Sequence, residues 1–310
     1  MKPGFLFAGQ GSQKTGMGKD FYEKYPSFKN IFDCLTEDEK LTAFEGPAEK
    51  LADTRCTQPV MVAFAAGVTA LLEERGIKAE MAAGLSLGEY SALCAAGVFT
   101  PEEAVSIVRK RAEEMSRAAE GIDCAMSAVM GMEREAVTEC CIAAAERTDK
   151  KVQPANFNCP GQIVISGETP AVCEAVSLLT EKGAKRCMKL PVSGPFHTEF
   201  MRPAGEALKE VFEKISFSEM KIPVIFNAVG RCKREDETVA QLLVRQVSSP
   251  VLFEDSIKLM EKSGIDTIIE IGPGKALSAF VRKTAPNIRL FNIDAAEDFE
   301  RVSAELCREV

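Results

Sequence analysis

A single histidine, His197, is all that 310 residues hold. That scarcity excludes histidine-rich metal centres, because a zinc site here would have to be nearly all cysteine. The eleven cysteines include no repeated CxxC pair; Cys140 and Cys141 are adjacent and the rest are scattered. No metal is therefore expected, and the cysteines read as small buried hydrophobes. Their odd count, with no signal-peptide pattern ahead of them, fits a reducing cytoplasm. Positive charge is also short. Lys and Arg number 38 against 46 Asp and Glu, a net charge of -8, which argues against a nucleic-acid-binding domain with its basic face. Long apolar runs are missing too. The N-terminal run through Phe5, Leu6 and Phe7 stops at Gly9, too short for a signal core or a membrane span, and no run elsewhere is expected to span a membrane.

What remains is an ordinary globular balance, 46% hydrophobic and 27% charged. At this length about three quarters of the unfolded chain's surface can be buried, so a core needs no staple. The chain reads as strand, glycine-rich loop and long buried helix: Phe5–Ala8, Gly9–Gly18, then Pro59–Glu74. A short strand at Ala79–Ala83 precedes a buried helix at Leu87–Ala96. Thr100 caps a further helix, with Pro101 in its first turn and a run to Ala119. From about 124 to 190 the order is β-α-β-β-α-β, the ferredoxin-like pattern, with a turn at Asn158-Cys159-Pro160-Gly161. Later helices are expected at Thr198–Lys214, Glu235–Gln246 and Phe253–Lys262, and strands at Val224–Asn227, Thr267–Ile271 and Arg289–Ile293. The expected division is a large α/β domain over 1–123 and 191–310, interrupted by a small domain over 124–190.

Gly84-Leu85-Ser86-Leu87-Gly88 is the strongest local signal. GxSxG between a strand and a helix is a nucleophile elbow, which presents the serine hydroxyl on a sharp turn above an α/β-hydrolase-like sheet. The N–H of Leu87 and the helix start can stabilise an oxyanion there. A small-residue turn packing helix on sheet is the bland alternative. A serine nucleophile needs a base, and only His197 offers an imidazole. The loop Gly9-Gln10-Gly11-Ser12-Gln13 fits neither GxGxxG nor the P-loop, but its backbone can supply a second oxyanion donor. Arg111 lies inside a predicted helix. Its planar fork suits a carboxylate, yet among Arg109, Lys110, Glu113 and Glu114 the pattern favours a solvated position. Gly272-Pro273-Gly274-Lys275 reads as a turn. Lys182, Lys185, Arg186 and Lys189 form a basic strip, by default a solvated face, that could meet an acidic partner or a phosphate.

Together these residues resemble the malonyl-CoA–acyl carrier protein transacylase family over nearly the whole chain. The matching segments are Gln10-Gly11-Ser12-Gln13, Gly84 to Ala92, Asn156-Phe157-Asn158 with Pro160-Gly161-Gln162, Phe196-His197, Val244-Arg245-Gln246, and Glu270-Ile271-Gly272-Pro273-Gly274. The resemblance implies an acylated Ser86 with His197 as base, and an oxyanion hole from the N–H groups of Gln10 and Leu87. It implies that Arg111 pairs with the malonate carboxylate, that a backbone carbonyl at Gln246 orients the histidine, and that Phe196 admits malonyl but crowds a methyl branch. The implied partners are malonyl-CoA and holo acyl carrier protein, with no cofactor beyond the CoA thioester as substrate, no nucleic acid and no membrane. Two positions depart from the pattern: Leu85 where the family usually has histidine, and Ala8 where it usually has proline. A serine hydrolase, a non-catalytic carrier-docking module and an acyltransferase of altered acyl selectivity are the competing readings.

Overall fold

A computed structural model describes residues 1–308. In chain order its strands are β1 (Pro3–Phe7), β2 (Met81–Gly84), β3 (Cys124–Met130), β4 (Val152–Cys159), β5 (Gln162–Glu168), β6 (Arg186–Lys189), β7 (Val224–Phe226), β8 (Arg231–Cys232), β9 (Val251–Leu252), β10 (Thr267–Ile271) and β11 (Arg289–Ile293). The chain is mixed α/β with two sheets. It divides into two compact units. The first takes Met1–Ala112, Ser216–Phe226 and the chain from Ser256 onward; the second takes Glu113–Ile215 and Asn227–Asp255. These cuts fall elsewhere than 124 and 190, and the second unit gains the segments that carry Phe196, His197 and Gln246.

In the first unit the strands run β11-β10-β1-β2-β7, with every one of these neighbouring pairs parallel. Every residue of β1, β2, β7 and β10 is buried. Their near-continuous apolar runs are what a sheet covered on both faces demands. Register fixes where the loops emerge. Phe7 pairs with Gly84 on one side and Ile271 on the other, so the Gly9, Ser86 and Gly272 loops leave one carboxyl edge together. Ligands of open parallel sheets bind at that edge.

The helix Thr54–Glu74 begins earlier than its apolar run suggests, because Asp53 caps it by accepting from the Arg55 N–H, and Pro59 lies inside it. It is long and apolar enough to span a membrane, contrary to the expectation that no run would be, but 83% of its apolar window is buried in the fold. Phe64 packs edge-on to Phe21 and Phe28. Those rings come from the short helices Lys19–Lys24 and Pro26–Phe32, which the sequence reading leaves as unassigned chain, like Glu37–Glu45 and Ala48–Leu51. Aromatic clustering across several short elements holds this region, and no single periodic stripe announces it.

In the second unit the strands run β6-β3-β5-β4-β9. The first four are joined antiparallel, and β9 adds parallel to β4. The helices Arg134–Thr148 and Thr169–Glu181 bury Val137, Cys141, Ala171, Val172 and Leu179 in the core of this unit. Three expectations shift. β4 continues through Asn158 to Cys159 with a bulge, so the turn is Pro160-Gly161, where Gly161 has φ 71°. The helix expected from Thr198 opens with a 3₁₀ turn, Glu199–Met201, and becomes α-helical over Arg202–Phe212, where Pro203 suits a first turn. The helix expected from Glu235 starts at Val239, set by a capping box between Thr238 and Gln241.

Candidate active site

Ser86 follows β2 and has φ 53°, a left-handed conformation rare for any residue but glycine. Its neighbours make that possible. A Cβ on Gly84 would sit 2.0 Å from the Gly88 carbonyl, and one on Gly88 would sit 2.2 Å from the Phe7 carbonyl oxygen. A Cβ on Gly9 would meet the Leu85 carbonyl oxygen at 2.4 Å. The three glycines are required by close backbone approach: two chain reversals and the β1 loop share one small volume. The Leu85 N–H donates to Phe7 O at 3.0 Å, and the Glu89 N–H to Ser86 O at 3.1 Å as the helix Gly88–Ala95 begins.

Leu87 occupies the N-cap of that helix. Neither its N–H nor that of Gln10 is spent on an acceptor among the described residues. The Gln10 side chain is anchored instead, Nε2 donating to Thr54 Oγ1 at 2.9 Å. The same loop is closed by Ser12 Oγ donating to Gly9 O and by Gly11 N–H donating to Gln13 Oε1. Ala8 has a visible effect: its N–H donates to Ile271 O at 3.1 Å, a bond a proline could not make, and its Cβ lies where a side chain on Gly272 would collide.

Arg111 is where pattern and structure part. It is 1% exposed, the largest fully buried side chain of the described residues. Its Nη2 donates to Ser86 Oγ at 3.2 Å, and its Cζ lies 5.3 Å from the centre of the Tyr90 ring. Its neighbour Arg109 is half-buried and pairs with Glu39 at 2.6 Å. Burial pushes the Arg111 guanidinium down from its ordinary value and the Tyr90 phenol up from its own. Arginine stays charged even so, and a buried cation is costly unless an anion or an oriented polar group meets it. Tyr90 escaped the sequence reading. Its signal was its place four residues after Ser86, one helical turn on.

In the second unit His197 is 3% exposed with φ 61°. Its Nδ1 lies 3.0 Å from the carbonyl oxygen of Gln246, the last residue of the helix Val239–Gln246. A carbonyl only accepts, so Nδ1 carries a proton, and in the neutral ring Nε2 then holds the lone pair of a base. Carbonyls in a helix's last turn lack intrahelical partners, and this one accepts from the Ser249 N–H at 3.4 Å while facing the imidazole. The turn is braced by Thr198 Oγ1 donating to Pro195 O. Phe196 is buried, its ring against Gly194, where a Cβ would meet it at 2.9 Å. The structure thus brings Ser86 to Arg111 and His197 to Gln246. No group of three or more metal-ligating side chains occurs among the described residues.

Ser86 and His197 are both non-glycine residues with left-handed φ, a strained conformation that clusters at functional sites. Residues 4–302 match the acyl transferase domain family. The malonyl CoA-acyl carrier protein transacylase of Bacillus subtilis is 44% identical over 96% of this chain and 95% of its own length. The crystal structure of the transacylase of that name from Clostridium perfringens superposes with a TM-score of 0.94 at 41% identity, covering 100% of this chain and 98% of that one. A malonyl-transacylase in complex with a type II PKS acyl-carrier protein superposes at 0.93 with 32% identity, over 98% and 100%. The chain belongs to the acyl transferase family, on its malonyl-CoA–acyl carrier protein transacylase branch.

Proposed function

We propose that the chain transfers malonyl from malonyl-CoA to the phosphopantetheine thiol of holo acyl carrier protein, through malonyl-Ser86, and so supplies fatty acid synthesis. One observation carries the reading: a fully buried guanidinium stands 3.2 Å from the hydroxyl of an elbow serine. A cation there favours an acyl group with an anionic far end, and malonyl is such a group. Arg111 pairs with its free carboxylate. His197 Nε2 takes the Ser86 proton as Oγ attacks the thioester carbonyl. The N–H groups of Gln10 and Leu87 hold the oxyanion, each worth roughly 100- to 1,000-fold in rate. Collapse expels CoA as its thiol, with the proton returned by His197. The carrier's thiol then attacks malonyl-Ser86 by the reverse steps. Gln246 keeps the imidazole in one tautomer, and Phe196 restricts branched acyl groups.

The reaction needs no cofactor beyond its thioester substrate, and the reading places it in the cytoplasm, away from membrane and nucleic acid. We read the first unit as α/β-hydrolase-like and the second as ferredoxin-like; the strand order β6-β3-β5-β4 with a helix after β3 and after β5 supports the latter. Intact-protein and peptide mass spectrometry after mixing with malonyl-CoA tests the function. Malonate should appear on the peptide holding Ser86, be discharged by holo carrier protein, and be absent from Ser86→Ala. A label that persists in Ser86→Ala overturns the reading.

A further inference from the structure

Arg111 and Ser86 come from different helices. Arg111 lies in Pro101–Ala119, and Ser86 is presented at the start of Gly88–Ala95. A bidentate grip on a carboxylate requires the guanidinium plane to be held within a few tenths of an ångström and some 10–20°. Helix packing alone does not fix the end of a long flexible side chain, so some group must register it against the nucleophile. Tyr90 is placed for that. It is 0% exposed and sits on the helix that the elbow starts, four residues after Ser86. Its backbone is locked into the first turn by donating to Leu87 O at 3.1 Å. The Arg111 Cζ lies 5.3 Å from its ring centre, inside the range of a cation–π contact. Ring and nucleophile therefore move as one piece, and the ring fixes the cation by its face.

We infer that Tyr90 is a positioning residue for acyl selection: its aromatic face registers Arg111 over Ser86 and so sets how strongly malonyl is preferred to an uncharged acyl group. The inference rests on the reading of Arg111 as the carboxylate binder. It makes the ring's π face the acting feature, so phenylalanine should replace tyrosine while an aliphatic residue should not. A desolvated cation–π contact is worth roughly 2 kcal/mol, about a 30-fold effect.

The test measures acylation of Ser86 by malonyl-CoA and by acetyl-CoA in the full chain. Tyr90→Phe should keep the malonyl-to-acetyl ratio within about threefold, and Tyr90→Leu should lower it by about tenfold or more with acetyl transfer retained. Should Tyr90→Leu fail to fold, phenylalanine bearing one, two and three fluorines at position 90 withdraws π density with little change of shape; the ratio should then fall stepwise with fluorine count. Equal loss for both acyl groups in Tyr90→Leu, or a ratio indifferent to fluorination, overturns the inference. Arg111→Ala is run beside them. A collapsed ratio there with no fluorine effect refutes Tyr90 alone, whereas an unchanged ratio refutes the Arg111 reading itself.

Discussion

Arg111 carries its charge into a place 1% exposed, and its proposed role makes a prediction separable from stability. Arg111→Ala should lower malonyl transfer by about 100-fold, the order of a charged hydrogen-bonding pair, and should leave acetyl transfer equal or faster. Arg111→Lys should recover only part of the malonyl rate, because a point charge lacks the fork. Acyl-enzyme formation with each thioester decides it, and equal losses for both acyl groups would make the arginine structural. This residue also shows the limit of pattern. Arg109, Lys110, Arg111, Glu113 and Glu114 form one charged stretch, and only helical spacing singles out Arg111, which falls three and four residues after the buried Val108 and Ile107. Ser86 and His197 stand out in the sequence for opposite reasons. The serine sits in a spaced motif with a mechanism, and the histidine has no rival in the chain. That both take a left-handed φ was not legible, since neither residue type asks for it.

At the scale of elements, the elbow was readable because its glycines answer a backbone requirement. Gly88 has the Phe7 carbonyl oxygen where a Cβ would be, at 2.2 Å, and neither strand nor helix can retreat without breaking the β1–β2 ladder. Gly88→Ala should therefore cost about 3 kcal/mol or more, seen as a lowered midpoint in denaturant, with acylation of Ser86 lost in whatever still folds. The helix that ends in Gln246 was only partly readable. Its capping box is in the sequence, but the segment before it is held by contacts across six residues. Arg231 grips the Glu237 carboxylate at 2.7 and 2.8 Å, and the Arg234 N–H donates to the same group. These hold the Glu237 carboxyl down from 4.5 to about 2. A depressed carboxylate contributes stability in full above its unfolded value, and that contribution is lost as pH falls through the folded one. Melting temperature measured from pH 5 down to 2 should therefore fall less steeply in Glu237→Gln than in the parent, with a small offset at neutral pH because the pair is solvent-screened. Parallel acid limbs would mean the brace adds nothing.

Over the whole molecule, the order of the motifs was legible from end to end, and the division of the chain was not. Ser216–Phe226 and Asn227–Asp255 are contiguous in sequence but belong to different units: β7 pairs parallel with β2, while β9 extends the other sheet beside β4. Strand partnership between residues 95 and 142 positions apart has no local signature. The cysteines follow the same logic. Composition reads all eleven as buried, but only Cys140, Cys141 and Cys159 are; six are half-buried, and Cys173 and Cys307 are exposed. Burial decides reactivity. It pushes the Cys94 and Cys141 thiols up to about 12 and those of Cys34 and Cys56 up to about 11. At pH 8 a thiol of 12 is thiolate in about one molecule in ten thousand, and the thiolate is the nucleophile. Brief alkylation with iodoacetamide at pH 8 should therefore modify Cys173 and Cys307 and spare Cys94 and Cys141 until the protein is denatured, as peptide mapping will show. Neither exposed cysteine belongs to the serine, histidine or arginine apparatus, so malonyl transfer should survive that treatment unchanged. Loss of activity in step with alkylation would place a thiol in the reaction and count against a chemistry carried by Ser86 and His197 alone.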